Sequence, residues 1–298
     1  MSALWEPVRF GKTGLSVSRL GLGSSYGLAG RDVERAFERG VNFMFWGLRR
    51  RGDFGKGVKH IASRDRERVV IAVQSYTRVA SLMETSLDCA LKTLGTDYVD
   101  VLCLGWWDES PPERILDAAR ALQARGKARH LVISCHHRPS FEAMVHLPQI
   151  DGIMVRYNAA HVGAERDVFP TLGNTDPAVI AFTATRWGSL LDPSKIPATE
   201  PVPRASDCYR FVLSHPSVHT SLAGPKDAAE LDEAMAALDR GVLNEEEDAW
   251  MRRVGAVVRN DKQAHWAMEA IDRLRGAMTG VKVEPGRAPD VSGEARHP

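Results

Sequence analysis

Short apolar runs recur along the chain, and each is separated from the next by a segment with a helical or loop pattern. A continuous apolar run is typical of a parallel strand that is buried on both faces. The run at 41–46 follows a helical pattern and leads into a loop that carries glycines and arginines. The predicted strands are 19–23, 41–45, 69–73, 99–104, 130–134, 152–156, 179–183 and 218–222.

Helical patterns fill the segments between these strands, with acidic residues, Asn or Pro near several of the predicted starts. Eight strand-helix units with short connections favour a closed (β/α)8 TIM barrel, of class α/β, over an open sheet. No GxGxxG lies between a strand and a helix, which counts against a Rossmann fold. The predicted helices are 32–39, 57–62, 81–94, 112–125, 141–146, 164–172, 205–214, 226–238, 245–258 and 261–275.

The length of the chain suits one barrel with additions at its ends. At 298 residues and 44% hydrophobic, the chain can bury a large single core. Segments 8–10 and 15–17 flank a glycine turn and predict an N-terminal β-hairpin. We expect a barrel with extra C-terminal helices over residues 1–278. Residues 279–298, rich in Pro, Gly and charge, predict a disordered tail.

Charge and cysteine content exclude several classes of partner. A formal net charge of +1 gives no field that would attract nucleic acid or an anionic membrane. The cysteines are widely spaced without a CxxC pair, which predicts free thiols in a reducing compartment. No apolar run approaches the roughly 18 residues of a membrane span, and no basic N-terminal leader precedes an apolar segment. We expect a soluble, cytoplasmic protein.

Several motifs together resemble the aldo-keto reductase superfamily over about residues 8–256. The resemblance implies a (β/α)8 barrel whose N-terminal hairpin closes the bottom, and carbonyl reduction with NADPH. In the family's reaction a tyrosine is the acid, and a lysine, an aspartate and a histidine support it. The segments that carry the resemblance are 11–18, 21–23, 40–57, 94–100, 126–129, 210–216 and 222–226.

The positions that match this catalytic tetrad are all changed. Phe45 stands for the aspartate, Arg50 for the tyrosine, Gln74 for the lysine and Gly105 for the histidine. A tyrosine with an unperturbed pKa near ~10 needs a nearby cation to donate a proton usefully at neutral pH. The sequence therefore predicts a divergent member in which the usual reduction does not operate.

The positions that would hold NADP are changed in part. The family clamps the nicotinamide with a Ser-Asn pair and a Gln, where this chain has Ser134-Cys135 and Met154. Neither Cys135 nor Met154 can both donate and accept hydrogen bonds as a side-chain amide does. At the positions that would bind the NADP phosphate, Gly224, Lys226 and Glu230 keep the family's spacing, but the usual Asn is Ala234. NADP binding is therefore left open. The candidate cofactor contacts are Ser134, Phe182, Arg186, Gly188, Ser189, Gly224, Lys226 and Glu230.

Residues at the C-terminal ends of barrel strands meet at one mouth, whatever their distance in sequence. Arginines beside aromatic rings suit an anionic small molecule, because a guanidinium binds carboxylate or phosphate in a planar fork. Tyr76 and His136 are the candidate proton carriers. The predicted mouth comprises Trp46, Arg50, Gln74, Tyr76, Trp106, His136, Arg156, Asn158 and Arg186.

Each of these residues also has a purely structural interpretation. The arginine run 49–51 is often a solvated loop, Trp106 can pack at the rim, and Tyr76 can be a structural phenol. Residues 135–137 and His161 invite a metal, but adjacent strand-end residues point apart, so we expect no metal.

Three hypotheses follow. The first is an enzyme that acts on an anion held by Arg50, Arg156 and Arg186. The second is an NADP(H) oxidoreductase with Tyr76 as a displaced proton donor. The third is a catalytically inactive barrel that binds a ligand.

Overall fold

The computed structural model describes residues 4–47 and 52–259. Arg50 therefore lies outside the described residues. So do the predicted helix 261–275 and the predicted tail 279–298.

Eight parallel strands close into a barrel, in the order β10-β3-β4-β5-β6-β7-β8-β9. A two-stranded antiparallel hairpin, β1 Val8–Arg9 with β2 Ser16–Val17, precedes them. The predicted (β/α)8 fold with its N-terminal hairpin is confirmed. Because these strands are buried on both faces, their apolar runs locate them well. The strands are β3 Leu20–Gly23, β4 Phe43–Trp46, β5 Val70–Ser75, β6 Val99–Leu104, β7 Ala128–Ser134, β8 Gly152–Arg156, β9 Ala178–Phe182 and β10 Thr220–Ala223.

Helices surround the barrel, and two of them differ clearly from the sequence prediction. The second, predicted as 57–62, is Phe54–Asp65, and its glycines allow close packing. A Cβ on Gly57 would lie 2.5 Å from the carbonyl oxygen of Gly30. The sixth, predicted as 164–172, ends at Asp167, and Pro170, which has no N–H to donate, lies in a following 3₁₀ turn. The helices are α1 Gly30–Glu38, α2 Phe54–Asp65, α3 Ala80–Leu94, α4 Glu113–Ala124, α5 Ser140–Val145, α6 Ala164–Asp167, α7 Ala205–Ser214, α8 Ala228–Arg240 and α9 Glu245–Arg259.

Apolar side chains fill two layers, one inside the barrel and one between its strands and helices. Phe10 of the hairpin is fully buried in the inner layer and meets the Phe43 ring edge-on at 5.6 Å. Phe45 also belongs to the inner layer. Trp46, the next residue, lies in the outer layer and stacks on Phe54 of α2 at 6.4 Å. The prediction that Trp46 lines the mouth is wrong, because adjacent strand residues point to opposite faces.

A buried ion pair attaches α9 to the barrel. Arg210 of α7 is 4% exposed, and its two terminal nitrogens donate to the carboxylate of Glu247 at 2.7 Å each. The same guanidinium donates to the carbonyl oxygens of Gly241 at 2.7 Å and Val242 at 3.0 Å. The α8–α9 connection and the first turn of α9 are therefore fixed against α7.

Across residues 4–47 and 52–259, no helix has both the length and the apolar character needed to cross a membrane.

Candidate active site at the barrel mouth

Uncharged side chains form the floor of the mouth. Phe45 on β4, Gln74 on β5 and Met154 on β8 are 6%, 5% and 6% exposed, and alternation along the strands directs all three inward. Beneath them the Sγ of Cys103 lies 4.0 Å from the Sδ of Met154, and burial raises the pKa of that thiol.

Tyr76 and Gly105 occupy one space at the ends of β5 and β6. The Tyr76 hydroxyl donates a hydrogen bond to Oε1 of Gln74. A Cβ added to Gly105 would lie 2.9 Å from Cδ1 and from Cε1 of the Tyr76 ring, and 2.9 Å from Nε2 of Gln74. The tyrosine ring therefore lies where any side chain at position 105 would begin.

Four side chains at the C-terminal ends of β5, β6, β7 and β9 form a continuous aromatic wall, defined here as Tyr76, Trp106, His136 and Phe182. The rings of Tyr76 and Trp106 meet edge to face at 4.9 Å, those of Trp106 and His136 at 6.1 Å, and those of His136 and Phe182 at 5.8 Å. Each ring is half-buried, so the wall has an accessible side. Mutual edge-to-face contacts of this kind hold the rings in fixed relative orientations.

His136 is held neutral in this wall. Burial, followed by the charge of Arg156, lowers the pKa of His136 to about 4. Both of its ring nitrogens are shielded from solvent and make no hydrogen bond to any residue in 4–47 or 52–259. A neutral imidazole can donate from one nitrogen and accept at the other. His136 thus retains unused hydrogen-bonding capacity at the mouth.

Arg156 adds positive charge on the same side. It follows Met154 by two positions on β8, pairs in register with Phe182 of β9, and is half-buried. Burial, then the charges of Arg156, Arg186, Arg259 and Arg138 in that order, lower the pKa of neighbouring His161 to about 3. These arginines therefore lie close enough to His161 to disfavour its protonated form.

Arg78 is a mouth residue that the sequence reasoning missed. Its guanidinium donates to the carbonyl oxygens of Gly105 at 2.9 Å and Trp106 at 2.6 Å, and lies 3.8 Å from the centre of the Trp107 ring. Trp106 has a φ of 56°, a left-handed conformation that a tryptophan adopts only when its surroundings impose it. Arg78 ties the loop after β5 to the loop after β6. Its position two residues beyond Tyr76 in a strand-end loop was the available signal.

Two predicted mouth residues make structural contacts instead. Asn158 is 0% exposed; its Nδ2 donates to the Thr183 carbonyl oxygen at 2.8 Å, and its Oδ1 accepts from the Ala160 N–H at 3.0 Å. Arg186 is 3% exposed, and its guanidinium donates to the Val258 carbonyl oxygen at the C-terminal end of α9. Both side chains therefore bond to the protein's own backbone.

The loop that carries the candidate cofactor contacts Arg186, Gly188 and Ser189 uses its amides internally. Arg186, Trp187 and Gly188 have φ values of 50°, 51° and 86°. The N–H groups of Gly188 and Ser189 donate to the carbonyl oxygens of Thr185 at 3.1 Å and Arg186 at 3.0 Å. An anion at this loop would have to compete with these bonds.

The predicted phosphate end is also occupied by internal contacts. The Lys226 ammonium pairs with the carboxylate of Glu230, which also accepts from the Lys226 backbone N–H at 3.0 Å. A Cβ on Gly224 would lie 2.3 Å from Cδ2 of Tyr26, so that ring covers the glycine. The exposed Lys226 pair is weak and can exchange for another anion.

The nicotinamide end does not fit the cofactor. Ser134 is buried, Met154 presents a thioether, and the Cys135 thiol donates to the His137 carbonyl oxygen at 3.0 Å. No pair of amide-like groups lies at these positions to hold a carboxamide. In the part of the chain that the structure describes, no three His, Cys, Asp or Glu side chains converge as metal ligands.

Comparison with known proteins places this geometry in context. A model of the aldo/keto reductase family matches residues 52–204. The holo form of an aldo-keto reductase from Bacillus halodurans superposes with a TM-score of 0.71 at 18% identity, over 84% of this chain and 96% of that one. An aldo/keto reductase from Klebsiella pneumoniae, in complex with NADP and acetate, gives a TM-score of 0.70 at 23% identity, over 84% and 95%. An aldo-keto reductase from Klebsiella pneumoniae in complex with NADPH gives a TM-score of 0.69 at 22% identity, over 84% of this chain and 95% of that one.

Proposed function

The chain belongs to the aldo/keto reductase family, and from this premise we propose that its mouth binds an anionic small molecule without the tyrosine-lysine carbonyl reduction. The observation that carries the proposal is the shared space of Tyr76 and Gly105 above the neutral Gln74. The family's reaction needs a cation beside its tyrosine and a histidine at the end of β6. Here the amide oxygen of Gln74 accepts a hydrogen bond from the Tyr76 hydroxyl, and the Tyr76 ring fills the space that a histidine at position 105 would need.

The charge at the mouth supports an anion as the ligand. Arg156 lies at the end of β8 beside His136, and its charge lowers the pKa of that imidazole. Because His136 is neutral at physiological pH, it does not compete with Arg156 for the anion. It offers a hydrogen bond instead. Carboxylates and phosphates are the groups that a guanidinium binds best.

Binding and turnover should be measured separately on the full chain. We expect no protein-dependent loss of NADPH absorbance with a panel of aldehydes and ketones. We expect carboxylates or inorganic phosphate to raise the melting temperature, because a ligand of the folded state stabilises it by mass action. Turnover of such an anion would mark an enzyme, whereas stabilisation without turnover would mark an inactive binding protein.

Arg156→Gln tests the assigned cation. Loss of a charge-assisted hydrogen bond, worth about 1.5–3 kcal/mol, predicts binding weaker by about 10- to 100-fold. Arg9→Gln is the matched control, because Arg9 lies on the N-terminal hairpin at the other end of the barrel, where it pairs with Asp176. Equal anion affinity in the wild type and Arg156→Gln would contradict the proposal.

An NADP(H) oxidoreductase that uses Tyr76 is the second candidate. It is supported by the similar structures with NADP and NADPH and by the Tyr76 hydroxyl at the mouth. It ranks lower because the nicotinamide end does not fit. NADPH-dependent reduction that Tyr76→Phe abolishes would favour it, and calorimetry without NADP or NADPH binding would exclude it.

A further inference from the structure

The mouth surrounds Arg156 with rings in a definite order. Going from β5 to β9, the strand ends present Tyr76, Trp106, His136, Arg156 and Phe182 in turn. Arg156 and Phe182 are direct register partners on β8 and β9. In strand order, Arg156 therefore lies between His136 and Phe182, two members of the aromatic wall. A ligand bound by its guanidinium would also contact aromatic rings.

The geometry of the wall favours a flat guest. Its interplanar angles are 72°, 64° and 88°, so ring edges and ring faces alternate along it. An additional ring can continue this pattern, presenting its edge to one face and its face to another edge, which adds to the gain from burial alone. A saturated ring of the same size buries comparable area but has no quadrupole for these contacts.

His136 adds a hydrogen-bonding requirement. Its two nitrogens are shielded and unpartnered among the described residues, although they lie within the wall itself. A buried polar group without a partner is costly, so such groups point to a ligand that supplies one. A carboxylate held by Arg156 has a second oxygen that can accept a hydrogen bond from the imidazole N–H.

We infer that the ligand is an aromatic carboxylate, with its ring against Trp106 and Phe182 and its carboxylate shared by Arg156 and His136. This assignment rests on the proposed anion site and narrows it to one chemical class. The floor of Phe45 and Met154 lies beneath the ring and is apolar. The ring and the charge are recognised by different residues, so each can be tested alone.

Three probes separate the two requirements in calorimetry with the full chain. Benzoate carries ring and charge, cyclohexanecarboxylate carries the charge on a saturated ring, and benzamide carries the ring without charge. We expect benzoate to bind about three- to tenfold more tightly than cyclohexanecarboxylate, the fold-change that aromatic pairing provides. We expect benzamide to bind most weakly.

Trp106→Leu tests the wall itself, with Trp107→Leu as the matched control one position along the same loop. The Trp107 ring packs against Arg78 and lies outside the aromatic wall. We expect Trp106→Leu to abolish the preference for benzoate over cyclohexanecarboxylate, and Trp107→Leu to retain it even if it lowers the melting temperature. Phe182→Leu gives a second wall variant should Trp106→Leu fail to fold.

The outcomes distinguish this inference from the proposal beneath it. Equal affinity for benzoate and cyclohexanecarboxylate would overturn the aromatic assignment while leaving the anion site intact. Binding of benzamide as tight as that of benzoate would overturn the role of Arg156 in the anion site and in the aromatic carboxylate assignment. Failure of benzoate, cyclohexanecarboxylate and inorganic phosphate to bind would overturn the anion site, and the inference with it.

Discussion

Replacing Gly105 with alanine adds one methyl group at the point where β5 and β6 end. That methyl would lie 2.9 Å from two carbons of the Tyr76 ring, well inside the ~3.5 Å of an ordinary carbon contact. To restore that contact the ring must retreat by roughly 0.6 Å. Such a retreat strains the hydrogen bond to Gln74 and the 4.9 Å contact with Trp106.

Two opposing effects set the size of the change in the free energy of unfolding. Overpacking in a well-packed site costs about 1–3 kcal/mol. Gly105 is not in the left-handed region, so alanine also gains about 0.4–1 kcal/mol by restricting the unfolded chain. We therefore expect Gly105→Ala to destabilise the protein by about 1.3 kcal/mol, the difference between the midpoints of these two ranges.

Urea denaturation followed by circular dichroism measures this change as a shift in the midpoint. Gly23→Ala is the matched control, because Gly23 also ends a barrel strand and, among residues 4–47 and 52–259, its added Cβ would meet only the Ala223 carbonyl oxygen, at 3.6 Å. We expect that control to be neutral or slightly stabilising. In a Tyr76→Ala background, Gly105→Ala should lose its cost, giving a coupling of about 1–3 kcal/mol.

Two results would refute this reasoning. One is a Gly105→Ala protein as stable as Gly23→Ala, which would mean that the tyrosine ring does not occupy this space. The other is a cost that persists when Tyr76 is alanine, which would assign the strain to other groups.

Three further predictions concern the rest of the described chain. The pKa of His136 is about 4 when folded and ~6.5 when unfolded, so the free energy of unfolding should fall by up to about 3 kcal/mol as pH drops through that window; melting curves of His136→Gln against pH should show a smaller fall. Arg186→Leu removes the donor to the last carbonyls of α9, and hydrogen exchange in that turn should quicken while exchange in α3 stays unchanged. Glu247→Gln removes the nearer of two carboxylates beside the buried Arg210, leaving Asp207 at 3.7 Å, and should cost about 1.5–3 kcal/mol in urea denaturation, whereas Asp53→Asn at an exposed pair should have almost no effect.

The barrel could be predicted from the sequence because its strands are buried on both faces and therefore appear as apolar runs. The prediction 99–104 coincides with β6, and 152–156 coincides with β8. The start of α2 was missed because glycine is a poor helix former by itself. Gly55 and Gly57 are present for contact: a Cβ on Gly55 would lie 2.8 Å from Cη2 of Trp46.

Strand residues of the mouth were easier to predict than loop residues. Alternation along β4 and β5 correctly directs Phe45 and Gln74 inward, and applied strictly it also excludes Trp46. The partners of Arg186 depend on contacts across 72 positions of sequence, which no local pattern contains. The same holds for Arg78, whose role is set by the two carbonyl oxygens that face it.

The Tyr76–Gly105 pair bears on the prediction that the catalytic tetrad is changed. From the sequence, glycine in place of the histidine is a loss at one position. In the structure the Tyr76 ring can hold its position because residue 105 is a glycine, since a Cβ there would lie 2.9 Å from two carbons of the ring. The two residues must therefore be exchanged together. The imidazole of a single Gly105→His variant would meet the Tyr76 ring before it reached the mouth. The group bonded to the Tyr76 hydroxyl would still be the uncharged amide of Gln74. Under the proposed function, recovering the reductase arrangement would require changes on β4, β5 and β6 at once.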